Sequence, residues 1–259
     1  MKTSTPAWGQ TSRFYLPNED AAVLRAALKL LPELPRHPVF VGGSGMLLLE
    51  ASRLLLPDLE SAVFVDLAAF QCEYADRLLQ GLARSPQPAA LQTWFADEIY
   101  PELRQYLLQR QMQYELQEVM DALQNKFGIE FMFNPEAHAA AKALVQLVYL
   151  VNMDIKSYLA ACQHPHDFIY LSNITDYLPP EDSKELFAVC QACKAPVYLL
   201  LSSACHNRAA LHDAWQANGY APHPANRQLD AMNRGLGSST LQTAWNRPGT
   251  IYLLMPHQA

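Results

Sequence analysis

The residues able to do chemistry fall into a few short segments of this 259-residue chain. Gly42-Gly43-Ser44-Gly45 follows a short apolar, β-rich run at 39–41 and precedes an apolar stretch at 46–56 suited to a buried helix. Glycines there permit positive φ and let a ligand approach bare backbone closely. The helix that follows turns its free N–H groups and partial positive charge toward that ligand. Asp66 ends the next apolar run, 62–65, where an acid is placed to accept hydrogen bonds from ribose hydroxyls. Ser172 and Asn173 directly follow a run at 167–171, with Tyr177 four positions beyond Asn173, and Asp154 and Ser203 stand just past two further runs. Near the start, Trp8, Phe14 and Tyr15 lie among small polar residues. They read either as a frayed tail or as a flap whose rings, Tyr15 among them, shield a bound cation.

These candidates need elements that bring strand ends together. A first helix at 21–31 is capped by Asn18 or Asp20 and stopped by Pro32 and Pro35. Strand 39–41, helix 45–55, strand 62–66 and helix 69–83 come next, and Ser85-Pro86-Gln87-Pro88 breaks the alternation. From 89 to about 147 the chain is helical in character. It includes an uninterrupted, Gln- and Leu-rich 102–124 and a helix begun by Asn134 as N-cap with Pro135 at N1. The alternation resumes with strand 147–152, helix 156–161, strand 167–171, helix 180–193, strand 197–201 and helix 207–218. A turn-rich 233–239 and a last strand at 250–254 close the chain.

Strands alternating with helices specify an α/β fold: a Rossmann-like, mostly parallel sheet with helices on both faces and a helical insertion at about 86–145. The division expected is an N-terminal flap and helix, 1–36, ahead of a ligand-binding α/β domain, 37–259. The insertion reads either as a partner-packing hairpin or as a cap over the site. Ligands of such sheets sit at the carboxyl ends of the strands. Gly42–Gly45, Asp66, Asp154, Ser172, Asn173 and Ser203 all fall at such ends.

Half of the residues are hydrophobic, enough for a sizeable core. The net charge is −6 and no basic run of five residues occurs, which argues against a nucleic-acid partner. Five scattered cysteines without a secretory signal fit a reducing, cytoplasmic setting, and Cys190-x-x-Cys193 lacks the second pair a zinc site needs. No run of about 18 apolar residues is present for a membrane span. No histidine is assigned a role: His164 and His166 flank Pro165, and His206, His212 and His223 form no base-and-orienter set. The partner expected is a small molecule, with no metal, no nucleic acid and no membrane; the oligomeric state is open.

Over about 37–84 and 147–256 the pattern resembles the class I S-adenosylmethionine-dependent methyltransferase fold. The resemblance rests on the glycine turn, on Asp66 as the ribose acid, and on Asp154 as the acid contacting the adenine amino group. Two positions depart from that family. Val41 stands where strand 1 usually carries an acid, and Leu47 where a third glycine is usual. The loop Leu171-Ser172-Asn173 does not match the Asn/Asp-Pro-Pro-Tyr/Phe loop of amino-group methyltransferases. It resembles that of enzymes using the 3-amino-3-carboxypropyl arm of the same molecule: the bacterial betaine-lipid enzymes and the azetidine-2-carboxylate synthases.

What the resemblance implies is a cytoplasmic S-adenosylmethionine-dependent enzyme of secondary metabolism. It would cyclise that arm to azetidine-2-carboxylate and release 5′-methylthioadenosine. The alternatives are a small-molecule methyltransferase and an intermolecular aminocarboxypropyl transferase. A catalytically silent binding domain would keep Gly43 and Asp66 for turn reasons alone, and the set of acids and turns on one edge favours an enzyme over it. Gly42, Gly43, Ser44, Gly45, Asp66, Asp154, Ser203 and Tyr15 are then the binding residues, and Asn173, Tyr177 and Ser172 the catalytic ones. Displacement at a sulfonium needs chiefly fixed geometry and stabilisation of moving charge. An α-amine, with an ordinary pKa of about 7.7–8.0, needs no strong base.

Overall fold

The structure, a computed structural model, describes residues 15–17, 19–162, 166–202, 205, 207–235 and 249–257. Helix α1 (Ala21–Leu28) starts where the Asp20 carboxylate accepts from the Ala22 N–H. Strand β1 (Pro38–Val41), helix α2 (Met46–Leu55), strand β2 (Ala62–Asp66) and helix α3 (Ala69–Arg84) follow. Helices α4 (Pro88–Trp94), α5 (Tyr100–Gln109), α6 (Leu116–Asn125) and α7 (Pro135–Leu144) fill the insertion, with a π-turn over Phe95–Ile99. Then come β3 (Val148–Asn152), α8 (Ile155–Ala161), β4 (Phe168–Ser172), α9 (Pro180–Cys193), β5 (Val197–Ser202), α10 (Arg208–Ala217), β6 (Tyr220–Pro222), α11 (Asn226–Gly235) and β7 (Gly249–Pro256).

The seven strands make one sheet in the order β3-β2-β1-β4-β5-β7-β6. The pairs from β3 through β5 are parallel, while β7 runs antiparallel to both β5 and β6. The chain therefore winds outward from β1 to β3, returns, and winds the other way from β4. The crevice between β1 and β4 is the switch point at which such sheets bind ligands.

Each central strand is buried on both faces, as a sheet covered by helices requires. One face carries Val39, Val41, Val63, Ile169 and Leu199 against α8, α9 and α10. The other carries Phe40, Phe64, Tyr170 and Tyr198, in a core shared with α1, α2, α3 and the insertion. Paired register stacks Phe40 on Tyr170 at 5.0 Å and Tyr170 on Tyr198 at 5.4 Å, a ring ladder running across three strands.

Two readings of the sequence need correction. The uninterrupted helix over 102–124 is two helices. Helix α5 stops at Gln109, Gln111 adopts φ 59°, and α6 restarts behind a capping box of Glu115 and Glu118. The break lets Leu103 and Leu107 on one helix and Val119 and Leu123 on the other both reach the core. The turn-rich tail hides α11 and follows the short β6, whose Tyr220 hydroxyl donates to the Ala195 carbonyl at 2.9 Å. Cys190 is buried in α9 and Cys193 half-buried. Among the described residues no helix is long and apolar enough to cross a membrane.

One buried carboxylate ties the insertion to α2. Glu50, 4% exposed, accepts from the backbone N–H groups of Glu130 at 2.5 Å and Phe131 at 2.8 Å, and pairs with Arg25 at 2.8 Å. Burial nevertheless pushes its carboxyl up to about 7. Replacing Glu50 by Ala strands two buried donors and half of the Arg25 pairing. We expect a loss of at least about 3 kcal/mol in urea unfolding. A loss below about 1 kcal/mol would contradict this role.

Candidate functional site

Glycine turn and α2 together build the mouth of the site. Gly42, Gly43 and Gly45 all take left-handed φ, at 63°, 73° and 73°. A side chain at Gly42 would bring Cβ to 2.9 Å from Asp66 Oδ2, whereas Cβ at Gly43 would meet nothing within 4 Å. Gly42 is thus favoured by its left-handed φ, and a Cβ there would displace the Asp66 carboxyl; Gly43 faces open space. Gly45 is the N-cap of α2 and offers no side chain to its first N–H groups. Ser44 Oγ makes only a long contact, 3.4 Å, with the Met46 N–H. Gln71, buried on α3, holds the turn by donating to the Gly43 carbonyl at 2.6 Å.

Beneath the turn lies a cleft partly open to solvent. Its walls are the turn itself, Leu47 and Leu48 of α2, the rings of Phe40, Phe64 and Tyr170, and Ser172 and Pro17. No residue of 86–145 lines it; the insertion packs behind α2.

Asp66 stands on the other side of Gly42. Its Oδ1 accepts from the Ala68 N–H at 2.7 Å, and burial pushes its carboxyl up to about 6. Next to it, Leu67 is 52% exposed and Met153 is 42% exposed, a bare apolar shelf at the ends of β2 and β3. Asp154, at the end of β3, caps α8: its Oδ2 accepts from the Ser157 N–H and hydroxyl, both at 3.0 Å.

Ser172 lies in the cleft wall with φ 49°, at an irregularity in the β4–β5 register, and is nearly buried. Left-handed φ on a serine is strained, and it turns the chain sharply into the following single turn of 3-10 helix. There the Asn173 side-chain amide donates to the Tyr177 hydroxyl at 3.5 Å, and both residues are outside the cleft lining. Asp176 anchors the turn by accepting from the Ser202 N–H at 3.2 Å. Ser203 and Trp8 fall outside the described residues.

Tyr15 is not the mobile ring the sequence suggested. It is fully buried, edge-on to Tyr74 at 5.4 Å and Phe70 at 5.5 Å, and beside Tyr106. Its carbonyl accepts from the Tyr74 hydroxyl at 2.8 Å. The area of its ring removed from water and its edge-on ring contacts hold it there. Pro17 is the residue of this segment that reaches the cleft.

The residues missed by reading the sequence are Gln71 and Glu19. Glu19 is fully buried, takes the Tyr170 hydroxyl on Oε1 and faces the Ser172 hydroxyl. Burial pushes its carboxyl up to about 8. A Pro-Asn-Glu-Asp segment signals only a helix start, so no local pattern could have pointed to it.

No protein-family model matches the chain, and no curated protein matches it. Solved structures are similar at low identity. One is a StiE O-MT segment, 8% identical with TM-score 0.47 over 92% of this chain and 74% of that one. Another is magnesium protoporphyrin IX methyltransferase from Synechocystis with bound SAM, 12% identical with TM-score 0.45 over 92% and 78%. A third is a SAM-dependent methyltransferase of Leishmania major, 11% identical with TM-score 0.47 over 90% and 70%. At such values the fold assignment stands on strand order and register.

Glu19, Glu50 and Asp66 all carry folded pKa values above those of the unfolded chain. Their folded forms favour the proton, so the stability these three groups contribute is full below about pH 4, is lost as pH rises, and has levelled off above about 6 for Asp66, 7 for Glu50 and 8 for Glu19. Thermal unfolding should therefore show a melting temperature that drops between pH 5.5 and 8.5. Glu19→Gln should remove the upper part of the drop, on the order of a few kcal/mol. A flat or rising profile would contradict the burial of these carboxyls.

Proposed function

We propose that the chain binds S-adenosylmethionine across the β1–β4 crevice and catalyses alkyl transfer from its sulfonium to a small molecule or within the molecule itself. The observation that carries this is the pairing of the left-handed glycine turn with the Asp66 carboxyl against Gly42. Open space over Gly43 admits a ligand to bare backbone, and the uncapped N-terminus of α2 supplies donors to its carboxylate. Asp66, poised at the end of β2, accepts from ribose hydroxyls. The exposed Leu67 and Met153 offer apolar faces to an adenine, with Asp154 nearby at the N-cap of α8 as the acid for its amino group. Aromatic walls of Phe40, Phe64 and Tyr170 suit a cationic arm, since ring faces attract cations by about 0.5–2 kcal/mol.

The finer reading concerns which arm reacts. We favour the 3-amino-3-carboxypropyl arm, closed on itself to azetidine-2-carboxylate. In that step the arm's bound ammonium first gives one proton to solvent, the freed amine attacks its γ-carbon, and the carbon–sulfur bond breaks with its electron pair going to sulfur. The ring nitrogen then sheds a proton if it is to leave neutral, and 5′-methylthioadenosine departs. Ser172 in the cleft wall and the Asn173–Tyr177 pair just beyond it support this reading. The serine hydroxyl and the asparagine carbonyl would aim the amine, and the tyrosine ring would face the sulfonium. Methyl transfer to a small acceptor uses the same binding half and is supported equally by the fold.

Binding and outcome are separable. Asp66→Ala should weaken S-adenosylmethionine about ten- to a hundredfold by calorimetry, the worth of charge-assisted hydrogen bonds of about 1.5–3 kcal/mol. Equal affinities would remove Asp66 from the site. Incubation of pure protein with S-adenosylmethionine alone, read by mass spectrometry, should yield 5′-methylthioadenosine and azetidine-2-carboxylate. Methylthioadenosine with homoserine or its lactone would overturn ring closure. S-adenosylhomocysteine formed only with an added acceptor would establish the methyltransferase reading.

A further inference from the structure

Glu19 occupies an unusual position for a carboxyl. It is 0% exposed and sits against the ring ladder at the centre of the sheet. Its Oε1 receives the Tyr170 hydroxyl, and Oε2 has no hydrogen-bond partner among the described residues. Tyr170 and Ser172, the two groups that face it from β4, are both walls of the cleft, and so is Pro17, two residues before it in the chain. The carboxyl is therefore one side chain behind the lining on the side of the cleft away from Asp66.

The other titratable groups around it are acidic or neutral. Tyr198 on β5 is kept protonated by burial and by the field of Glu19 and Asp20, and its hydroxyl has no partner among the described residues. Asp20 turns to the Ala22 N–H and toward Arg25, which itself pairs with Glu50 and Glu130. No lysine, arginine or histidine among the described residues acts on Glu19. A buried carboxyl with no cation stays protonated. With a cation beside it, the same carboxyl ionises, because the Tyr170 and Ser172 hydroxyls then bond to a charged acceptor, and such bonds are about twice as strong. The stacked rings of Phe40 and Tyr170, both in the cleft wall, add faces that attract a cation.

We propose that Glu19, one side chain behind the lining, is the counter-charge to the cationic amine of the ligand's amino-acid arm and releases its proton to solvent when that amine binds. This rests on the reading of the cleft as an S-adenosylmethionine site and assigns the end of the ligand that Asp66 does not hold. The balance is simple: the ammonium keeps its three protons, the carboxylic acid becomes a carboxylate, and one proton leaves for the buffer. The site then selects ligands that carry an amine over ligands that carry only the nucleoside.

Calorimetry at pH 7.0 in two buffers of different ionisation enthalpy counts the protons. The ligands are S-adenosylhomocysteine, which has the amine and carboxylate, and 5′-methylthioadenosine, which has neither. Both present the same ribose to Asp66, so any proton that Asp66 exchanges cancels between them. A carboxyl titrating near 8 is about nine-tenths protonated at pH 7, so S-adenosylhomocysteine should release close to one proton more than methylthioadenosine. That difference should fade above about pH 9. Glu19→Gln should abolish it and weaken S-adenosylhomocysteine tenfold or more, with methylthioadenosine affinity changed less than twofold. Equal proton counts for the two ligands in the wild-type protein would overturn the role of Glu19 and leave the nucleoside site standing. Binding of neither ligand would overturn the site and the role together. The wild-type comparison decides the matter even if the variant does not fold.

Discussion

Everything at the site depends on how the chain leaves β1. It must pass from a strand buried on both faces into a helix in four residues, and it does so with three glycines in the left-handed region. Side chains are strained there, and at Gly42 a Cβ would also press on the Asp66 carboxyl, which would have to turn aside. The same turn leaves α2 without a side-chain cap from its N-cap residue and aims its first N–H groups over the carboxyl edge of the sheet. Turn, acid and helix end are thus one geometric solution, and Gln71 fastens it through the Gly43 carbonyl.

What keeps α2 in place lies behind it. Arg25 of α1, Glu50 of α2 and the 128–131 segment of the insertion form a clamp in which every charged group has a partner. The insertion is a buttress for the helix that frames the cleft. Glu19, Glu50 and Asp66, like Asp20, are pushed up by burial, but the first three differ in what they receive in return. Glu50 has an arginine and two backbone donors, Asp66 has one backbone donor, and Glu19 has hydroxyls alone. The less a buried acid is compensated by its own protein, the more a cationic ligand can add. On the proposal made for Glu19, that gradient would separate a structural acid from one that acts at the site.

The sheet was legible because its signals are local. The runs at β1, β2, β4 and β5 are apolar, rich in β-branched and aromatic residues, and bounded by glycine, proline or acids, so their ends fall within a residue or two of the structure. Gly42 and Asp66 could be placed at neighbouring strand tips from that pattern alone. The break between α5 and α6 has a local signal of its own, since Glu115 and Glu118 have the spacing of a capping box. Tyr15 and Glu19 could not be read from sequence. An aromatic residue in a polar tail and an acid before a helix both look solvated, and their burial is decided by partners far along the chain, such as Tyr170, 151 positions from Glu19. Helix α11 has a polar sequence ending at a glycine, and it is held by packing on β7 rather than by its own pattern.

The central claim is that the crevice between β1 and β4 holds S-adenosylmethionine with its ribose on Asp66 and its amino-acid arm beneath the glycine turn. A crystal structure of the protein with that ligand bound tests it most directly. The account expects the ribose hydroxyls within hydrogen-bond distance of the Asp66 carboxyl, and the arm running past Gly43 toward Tyr170 and Ser172. A ligand bound on another edge of the sheet, or lying in this crevice with the ribose turned away from Asp66, would contradict it.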